Sequence, residues 1–374
     1  MKPFKEYHLL QFLNQWDFIT PLDLAISLYF RQHKSLGSKD RKFIAETTYG
    51  MIRELALVDY FIKGPINWES RYHVFKDLDI QKARNNLTIP VHVRCSAPEY
   101  LFSKLKETFG EKSAYTLSLR NNQRAPLTVR VNELKTTRDA FYEKMKSLAP
   151  LSLCKRSPVG VRFNEHVNLF QTNEFKEGHF EVQDEGSQLV SFLVNAQPKQ
   201  KVLDYCAGSG GKTLAFAPKM QGQGCIFVHD IRASIIGQAK KRLKRAGVQN
   251  YQIAEPGSKN LKALYKNMDW VLVDVPCTGT GTYRRSPDLK WKFDEKMLQE
   301  TVQKQREIFH EALKYLKPSG RIVYATCSLL KDENEDQVEF FKSKYGLKTE
   351  SNPLNSAIDF GSMDGFYGAV LTPS

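Results

Sequence analysis

Cys277, in Asp274-Val275-Pro276-Cys277, and Cys327, in Ala325-Thr326-Cys327-Ser328, stand fifty positions apart, and each follows a short apolar run of strand character. In an open α/β sheet, ligands gather beyond the carboxyl ends of the strands, so two thiols emerging there can face one substrate. The placement predicts thiol chemistry at the carboxyl edge of a parallel sheet. The other cysteines, at 95, 154, 206 and 225, never approach the close spacing of metal ligands, and the gaps suggest no disulfide ladder. Cys95, Cys154 and Cys225 read as small core hydrophobes and Cys206 as a packing residue of a loop. A reduced, cytoplasmic interior without a metal site is the expectation.

A second constellation lies upstream. Val202-Leu203-Asp204-Tyr205 runs into Cys206-Ala207-Gly208-Ser209-Gly210-Gly211-Lys212 and then a helix. A strand, a glycine-rich turn and a helix bring backbone N–H groups close to a polar ligand, and Lys212 adds a cation for a carboxylate or phosphate. A P-loop is excluded by spacing, because the position six before the lysine is Cys206 and not glycine. Asp230 closes the next strand about 20 residues on, where an acid can take the hydroxyls of a ribose. The turn also lacks the dinucleotide glycine order. S-adenosylmethionine, an adenosine carrying an amino-acid tail, fits this residue set.

The elements that must position these groups follow from the periodicity. After Gln183, apolar runs at Val202-Leu203, Ile226-Phe227-Val228, Trp270-Val271-Leu272-Val273 and Ile322-Val323-Tyr324 alternate with helical stretches, which predicts a doubly wound, mostly parallel α/β sheet. Before it, a helix (Tyr100 to Phe109), strands at Leu127 to Val131 and Gly160 to Phe163, and a helix from Arg138 to Leu148 suggest a small α+β module. The first part reads as amphipathic helices, with Leu22, Ile26, Tyr29 and Phe30 on one face and Phe43, Thr47, Met51, Leu55 and Val58 on another. The basic run Lys240 to Arg245 lies opposite Ile236, Ala239, Leu243 and Ala246 and reads as a solvated face. The boundaries drawn are 1–88, 89–178 and 179–374.

Of 374 residues, 55 are Lys or Arg and 41 Asp or Glu, a net charge of +14 that favours a polyanionic partner. Arg284, Arg285, Lys290 and Trp291 form a basic and aromatic cluster beyond the Cys277 loop, suited to phosphates and a stacked base, with a solvated charge run as the alternative. Met1 to Glu6 begins no signal peptide, and no apolar run approaches the roughly 20 residues that span a bilayer. No membrane association is expected.

The stretch Asp274 to Thr282, Arg284 to Trp291, and Tyr324-Ala325-Thr326-Cys327-Ser328 with Glu333-Asn334-Glu335 resembles the RNA cytosine-5 methyltransferases of the Fmu/Sun and NOL/NSUN superfamily. Gln183 to Ser187, Cys206 to Lys212, Arg130-Val131-Asn132 and Asp364 to Ala369 agree with it. Leu22 to Leu57 is similar to the NusB-like helical domain of the bacterial small-subunit rRNA (RsmB) branch. The resemblance implies a Rossmann-like methyltransferase domain over 179–374, a substrate-positioning module over 89–178 and an RNA-binding helical domain over 1–88. It implies small-subunit ribosomal RNA as partner and S-adenosylmethionine as cofactor, lined by Cys206 to Lys212, with Asp230 on the ribose and Asp274 beside the methyl donor. Glu255 falls near the family's adenosine-contacting aspartate, one carbon longer.

C5 of cytosine is a poor nucleophile until a thiolate adds at C6. By resemblance, Cys327 is that nucleophile, Cys277 assists product release and Asp274 bonds the N3 edge of the base. Two alternatives remain at the level of sequence. One is a DNA cytosine-5 methyltransferase with Cys277 as nucleophile, and the other is a ribosome-assembly factor that binds RNA without turnover.

Overall fold

The computed structural model describes residues 3–165, 167–356 and 363–374; Met1 and Lys2 of the amino-terminal segment read above lie outside them. The chain forms two compact units, one of Met1–Ala125 with Thr282–Leu298 and the other of Pro126–Gly281 with Gln299–Ser374.

The first unit is helical. Phe4–Gln15, Leu22–Gln32 and Ser38–Arg53 pack around Leu9, Leu13, Leu22, Ile44 and Met51. Asp40 starts the third helix by accepting the Gly37 N–H, and Asn67 caps Trp68–Asp77 by accepting from Ser70 N at 2.9 Å. The stripe of the third helix is rotated from the one expected. Ile44 and Thr48 are buried, whereas Phe43 and Thr47 are only partly covered. Both registers keep apolar positions four apart, and packing on the first helix selects Ile44. Glu99–Phe109 packs on Glu111–Asn121 within this unit.

The second unit holds two sheets. The smaller comprises β1 (Leu127–Val131), β2 (Leu151–Leu153), β3 (Gly160–Phe163) and β4 (Phe180–Val182), antiparallel in the order β2-β3-β1-β4. The larger comprises β5 (Lys201–Asp204), β6 (Cys225–Val228), β7 (Tyr251–Ile253), β8 (Met268–Asp274), β9 (Leu316–Thr326), β10 (Leu347–Thr349), β11 (Leu354–Asn355) and β12 (Tyr367–Pro373). Its order is β10-β12-β9-β8-β5-β6-β7, with β11 paired to β12. The five strands from β9 to β7 are parallel, and β12 runs antiparallel to β9. This is the doubly wound architecture expected from the alternating pattern.

Side chains along the parallel strands alternate between two apolar layers. Leu203, Val271, Val273, Ile322 and Tyr324 enter one with Phe309 and Phe341, and Val202, Ile226, Leu272 and Val323 enter the other with Leu214 and Leu243. Burial on both faces accounts for the continuous apolar runs. The small sheet is bolted to the helix Ala233–Ala246 by charge. Glu181 of β4, 3% exposed, pairs with Arg242 and Arg245, and the Asn132 amide donates to the Gly178 and Ala246 carbonyls at 2.8 Å each. Ile236, Ala239, Leu243 and Ala246 are the buried face of that helix, as expected. The solvated reading needs correction at Arg242 and Arg245, which turn inward because a buried carboxylate waits there.

Candidate active site

Parallel register places every element of the site at one edge. Asp274, the last residue of β8, is level with Ala325 of β9, so the chains leaving the two strands run side by side into Cys277 and Cys327. Their sulfurs lie 3.2 Å apart, and the Cys327 N–H donates to the Cys277 sulfur at 3.3 Å. All six cysteines are free thiols. The Cys277 thiol is held well above the ordinary cysteine range, first by its hydrogen bond to the Cys327 sulfur and then by burial and the charge of that sulfur. Cys277 thus keeps its proton and presents it to Cys327.

A buried carboxylate ties the two thiol loops together. Glu333, fully buried, accepts Thr278 N (2.9 Å) and Gln305 Nε2 (2.9 Å) on one oxygen, and Thr278 Oγ1 (2.5 Å) and Ser328 Oγ on the other. Thr278 follows Cys277 and Ser328 follows Cys327, so one side chain holds both neighbours. Burial raises the Glu333 pKa, and the hydrogen bonds from Ser328 and Thr278 oppose the rise. Sequence reasoning left Glu333 without a role; an acid six residues past a cysteine and three past Leu329-Leu330 was the available signal. Gly281 adds a second clasp, donating to the Cys327 carbonyl at 2.9 Å and accepting Gly365 N–H at 2.9 Å. A Cβ on Gly281 would stand 2.1 Å from the Gly365 oxygen, which explains a glycine there.

Lys212, in the first turn of Gly211–Phe216, forms an ion pair with Asp274. Burial pulls the ammonium pKa down, but the Asp274 carboxylate more than reverses this, and the charge of Cys327 adds to the rise. The cation expected to meet a cofactor carboxylate therefore already holds Asp274 and is coupled to the Cys327 sulfur. Asp230 receives Gly208 N–H at 2.9 Å and a bidentate Arg232 at 2.9 and 3.0 Å. Burial pushes its pKa up, and the Arg232 bonds outweigh that to leave it lowered, so the carboxylate is charged. Asp204, at the end of β5, accepts Thr213 Oγ1 at 2.5 Å and has its other oxygen buried without a partner. Burial raises its pKa to about 7.

These residues fit a nucleoside with a charged tail. Gly208, in the left-handed region at φ 54°, turns its N–H to Asp230 and leaves the space above the turn open. Ile231, 82% exposed beside that acid, offers an apolar face for a purine. Cys206 and Ala207 continue the turn from β5; Ala207 is buried, and Ser209 accepts Arg242 Nη1 through its carbonyl at 3.0 Å and through Oγ at 2.5 Å. Gly210 and Gly211 lead into the helix. Glu255 is exposed two residues beyond β7, at the same sheet edge. Among the described residues no cluster of metal-ligating side chains occurs, and no helix is long and apolar enough to cross a membrane.

The basic and aromatic cluster belongs to the helical unit, and its residues divide. Arg285 is exposed and Arg284 is buried. Lys290, 2% exposed, gives its three donors to the Arg53 carbonyl (2.7 Å), the Ser96 carbonyl (2.7 Å) and Asn122 Oδ1 (2.6 Å). Trp291 packs into the helical core and donates Nε1–H to the Ile52 carbonyl at 2.8 Å. The surface reading of Lys290 and Trp291 is therefore corrected: carbonyls left over at helix ends and turns draw these donors inward.

Comparison with known proteins identifies the family. Residues 191–366 match the family 16S rRNA methyltransferase RsmB/F, and residues 97–169 match the RsmF/B-like ferredoxin-like domain. Ribosomal RNA small subunit methyltransferase B of Photorhabdus laumondii is 31% identical over 342 residues, covering 88% of this chain and 77% of that protein. The protein of the same name from Proteus mirabilis is 30% identical over 335 residues, covering 88% and 76%. NSun6 from Pyrococcus horikoshii, solved with SFG, shares the fold at a TM-score of 0.66 and 19% identity, over 74% of this chain and 98% of that one. With its paired thiols, its acid-bearing glycine turn and a relative similar over most of both chains, this protein belongs to the RsmB/F family of 16S rRNA methyltransferases.

Proposed function

We propose that this chain is an S-adenosylmethionine-dependent RNA cytosine-5 methyltransferase acting on small-subunit ribosomal RNA through a covalent adduct. The observation that carries the mechanism is the 3.2 Å approach of the Cys277 and Cys327 sulfurs at the ends of adjacent parallel strands. The names of the relatives support ribosomal RNA as substrate, and the net charge of +14 supports a polyanion.

In this reading the Cys327 thiolate, stabilised by the Lys212 cation, adds to C6 of an unstacked cytosine. The C5=C6 electrons move through C4 to N3, which takes a proton from solvent and donates it as a hydrogen bond to the Asp274 carboxylate until the ring is restored. S-adenosylmethionine, which the glycine turn and Asp230 would hold, would supply the methyl group that the activated C5 takes. Once Cys327 is bonded to C6, its thiolate charge, one of the influences that held the Cys277 proton, is gone. Cys277 then yields that proton to solvent and, as thiolate, accepts the C5 proton. The C5–H electrons restore C5=C6, and Cys327 departs as thiolate. The glycine turn and Asp230 orient the nucleoside half of the cofactor. Residues 1–88 are read as the RNA-holding part, with residues 89–178 positioning substrate. The six free thiols suit a reducing cytoplasm.

A denaturing gel of wild type, Cys277→Ala and Cys327→Ala with S-adenosylmethionine and unmodified ribosomal RNA tests this reading. A covalent RNA–protein band that accumulates in Cys277→Ala and is absent in Cys327→Ala is expected. The reverse pattern would make Cys277 the nucleophile. A wild type that binds RNA but transfers no label would leave an assembly factor.

A further inference from the structure

Gln305, in the helix Glu295–Leu313, is fully buried, and none of the roles above accounts for an amide there. Its orientation is fixed from outside the site. The Arg306 guanidinium can only donate, and its Nε–H goes to Gln337 Oε1 at 2.9 Å. The Gln337 NH2 therefore faces Gln305 Oε1, also at 2.9 Å. That leaves the Gln305 NH2 to donate to the Pro276 carbonyl at 3.2 Å and to Glu333 at 2.9 Å.

Both bonds act on the Cys277 loop. Proline has no N–H, so the carbonyl is the one backbone group by which Pro276 can be held, and Gln305 takes it. Val275 N–H, one residue earlier, is tied to the Ala325 carbonyl at 3.1 Å. Thr278 N–H, two residues later, meets the same Glu333 oxygen that Gln305 meets. The backbone is thus fixed on either side of Cys277, with Gln305 joined to both points. The Cys327 loop is held by other groups: Gly281 N–H on the Cys327 carbonyl, and Ser328 Oγ on the opposite oxygen of Glu333. A buried amide with both hydrogens committed is rigid, and it sets where the Cys277 sulfur points.

We propose that Gln305 is a positioning residue for product release, aiming Cys277 at the C5 proton without setting the attack of Cys327. It rests on the covalent reading, in which the Cys277 thiolate takes the C5 proton, the C5–H pair re-forms C5=C6 and the C6–S pair returns to Cys327. Replacing Gln305 should therefore slow one step and trap the methylated adduct. The test uses the full chain with methyl-labelled S-adenosylmethionine and unmodified ribosomal RNA, quenched over time and resolved on a denaturing gel. A shift of about 1 Å in a reacting group can cost on the order of a hundredfold. With Glu333 still on Thr278, adduct decay in Gln305→Met should slow about tenfold, while transfer of label to RNA, free plus adduct-bound, changes less than about twofold. In a Cys277→Ala background the same substitution should slow decay no further, whereas a general loosening of the core would slow transfer and decay in both backgrounds. Gln305→Leu is made alongside, and loss of the melting transition in both variants would make Gln305 a core residue and overturn the proposal. Equal slowing in the Cys277→Ala background would do the same. A wild type that transfers no label would sink the covalent reading and this role with it, whereas unaltered decay in Gln305→Met beside an active wild type would sink this role alone.

Discussion

Removal of the Glu333 carboxylate should disconnect the two thiols more than it destabilises the fold. In Glu333→Ala, the Thr278 N–H, the Gln305 amide and the hydroxyls of Thr278 and Ser328 lose their shared acceptor inside a dry site. At roughly 1 kcal/mol net for each bond, the loss is about 4 kcal/mol, concentrated on the segments after Cys277 and Cys327. Glu333→Gln can keep its oxygen toward the two N–H donors and turn its NH2 to the hydroxyls, which rotate to accept, so no bond is lost by count and the exchange of a charged for a neutral partner costs about 1 kcal/mol. A shift of about 1 Å in reacting groups can cost on the order of a hundredfold in rate. The Ala variant should therefore fall about 100-fold in single-turnover methyl transfer, and the Gln variant less than tenfold. Hydrogen exchange of the peptide spanning 275–282 reads the same event locally, since Thr278 N–H is protected by the carboxylate. An Ala variant with wild-type transfer and wild-type exchange at Thr278 would refute the clasp.

Gly281→Ala drives a methyl group into the Gly365 carbonyl, so it should lose transfer at least tenfold while urea unfolding of the sheet moves by about 1–3 kcal/mol. Asp204 has its folded pKa raised to about 7 by burial, so the folded chain binds the extra proton between about pH 4 and 7 and stability falls as pH rises through that window; Asp204→Asn should abolish this slope in a melting series. Lys290→Met leaves three oxygens without a donor and should lower the stability of the helical unit by about 3 kcal/mol. Because burial lowers the Lys290 pKa to about 7, the unfolded chain binds more protons from about pH 7 to 10.5, so wild-type stability should rise across that range and the Met variant's should not.

The legible parts of the molecule were those whose signal is local. Runs such as Trp270 to Val273 must be strands buried on both sides, and β1 and β3 were readable as short alternating runs at their observed bounds. Leu151–Leu153 and Phe180–Val182 are too short to leave a periodic trace, and they form only because β3 and β1 stand beside them. Tyr367–Pro373 carries a glycine and ends in proline, so its strand character comes from the β9 edge that it covers. For the candidate site, the motif positions of Cys277, Cys327 and Asp274 were readable, but the partners of Lys212 were not, since sequence does not say which of two anions a lysine will meet. Lys290 is the sharpest case. A charged residue next to Arg284 and Arg285 reads as surface, and the three oxygens that bury it come from positions 53, 96 and 122.

The position of β12 has a consequence for the order in which the chain becomes competent during synthesis. Residues 367–371 pair along β9 up to Thr326, immediately before Cys327, and Gly365 closes on Gly281. Forty residues separate Cys327 from Tyr367. At elongation rates of roughly 5–20 residues per second, β9 spends several seconds with an open hydrogen-bonding edge beside a free thiol. The nascent enzyme therefore passes through an interval in which its sheet can recruit a foreign strand but its active site is not yet closed. Chaperone occupancy and premature oxidation of the thiols should both concentrate in ribosome-bound chains arrested between those two points.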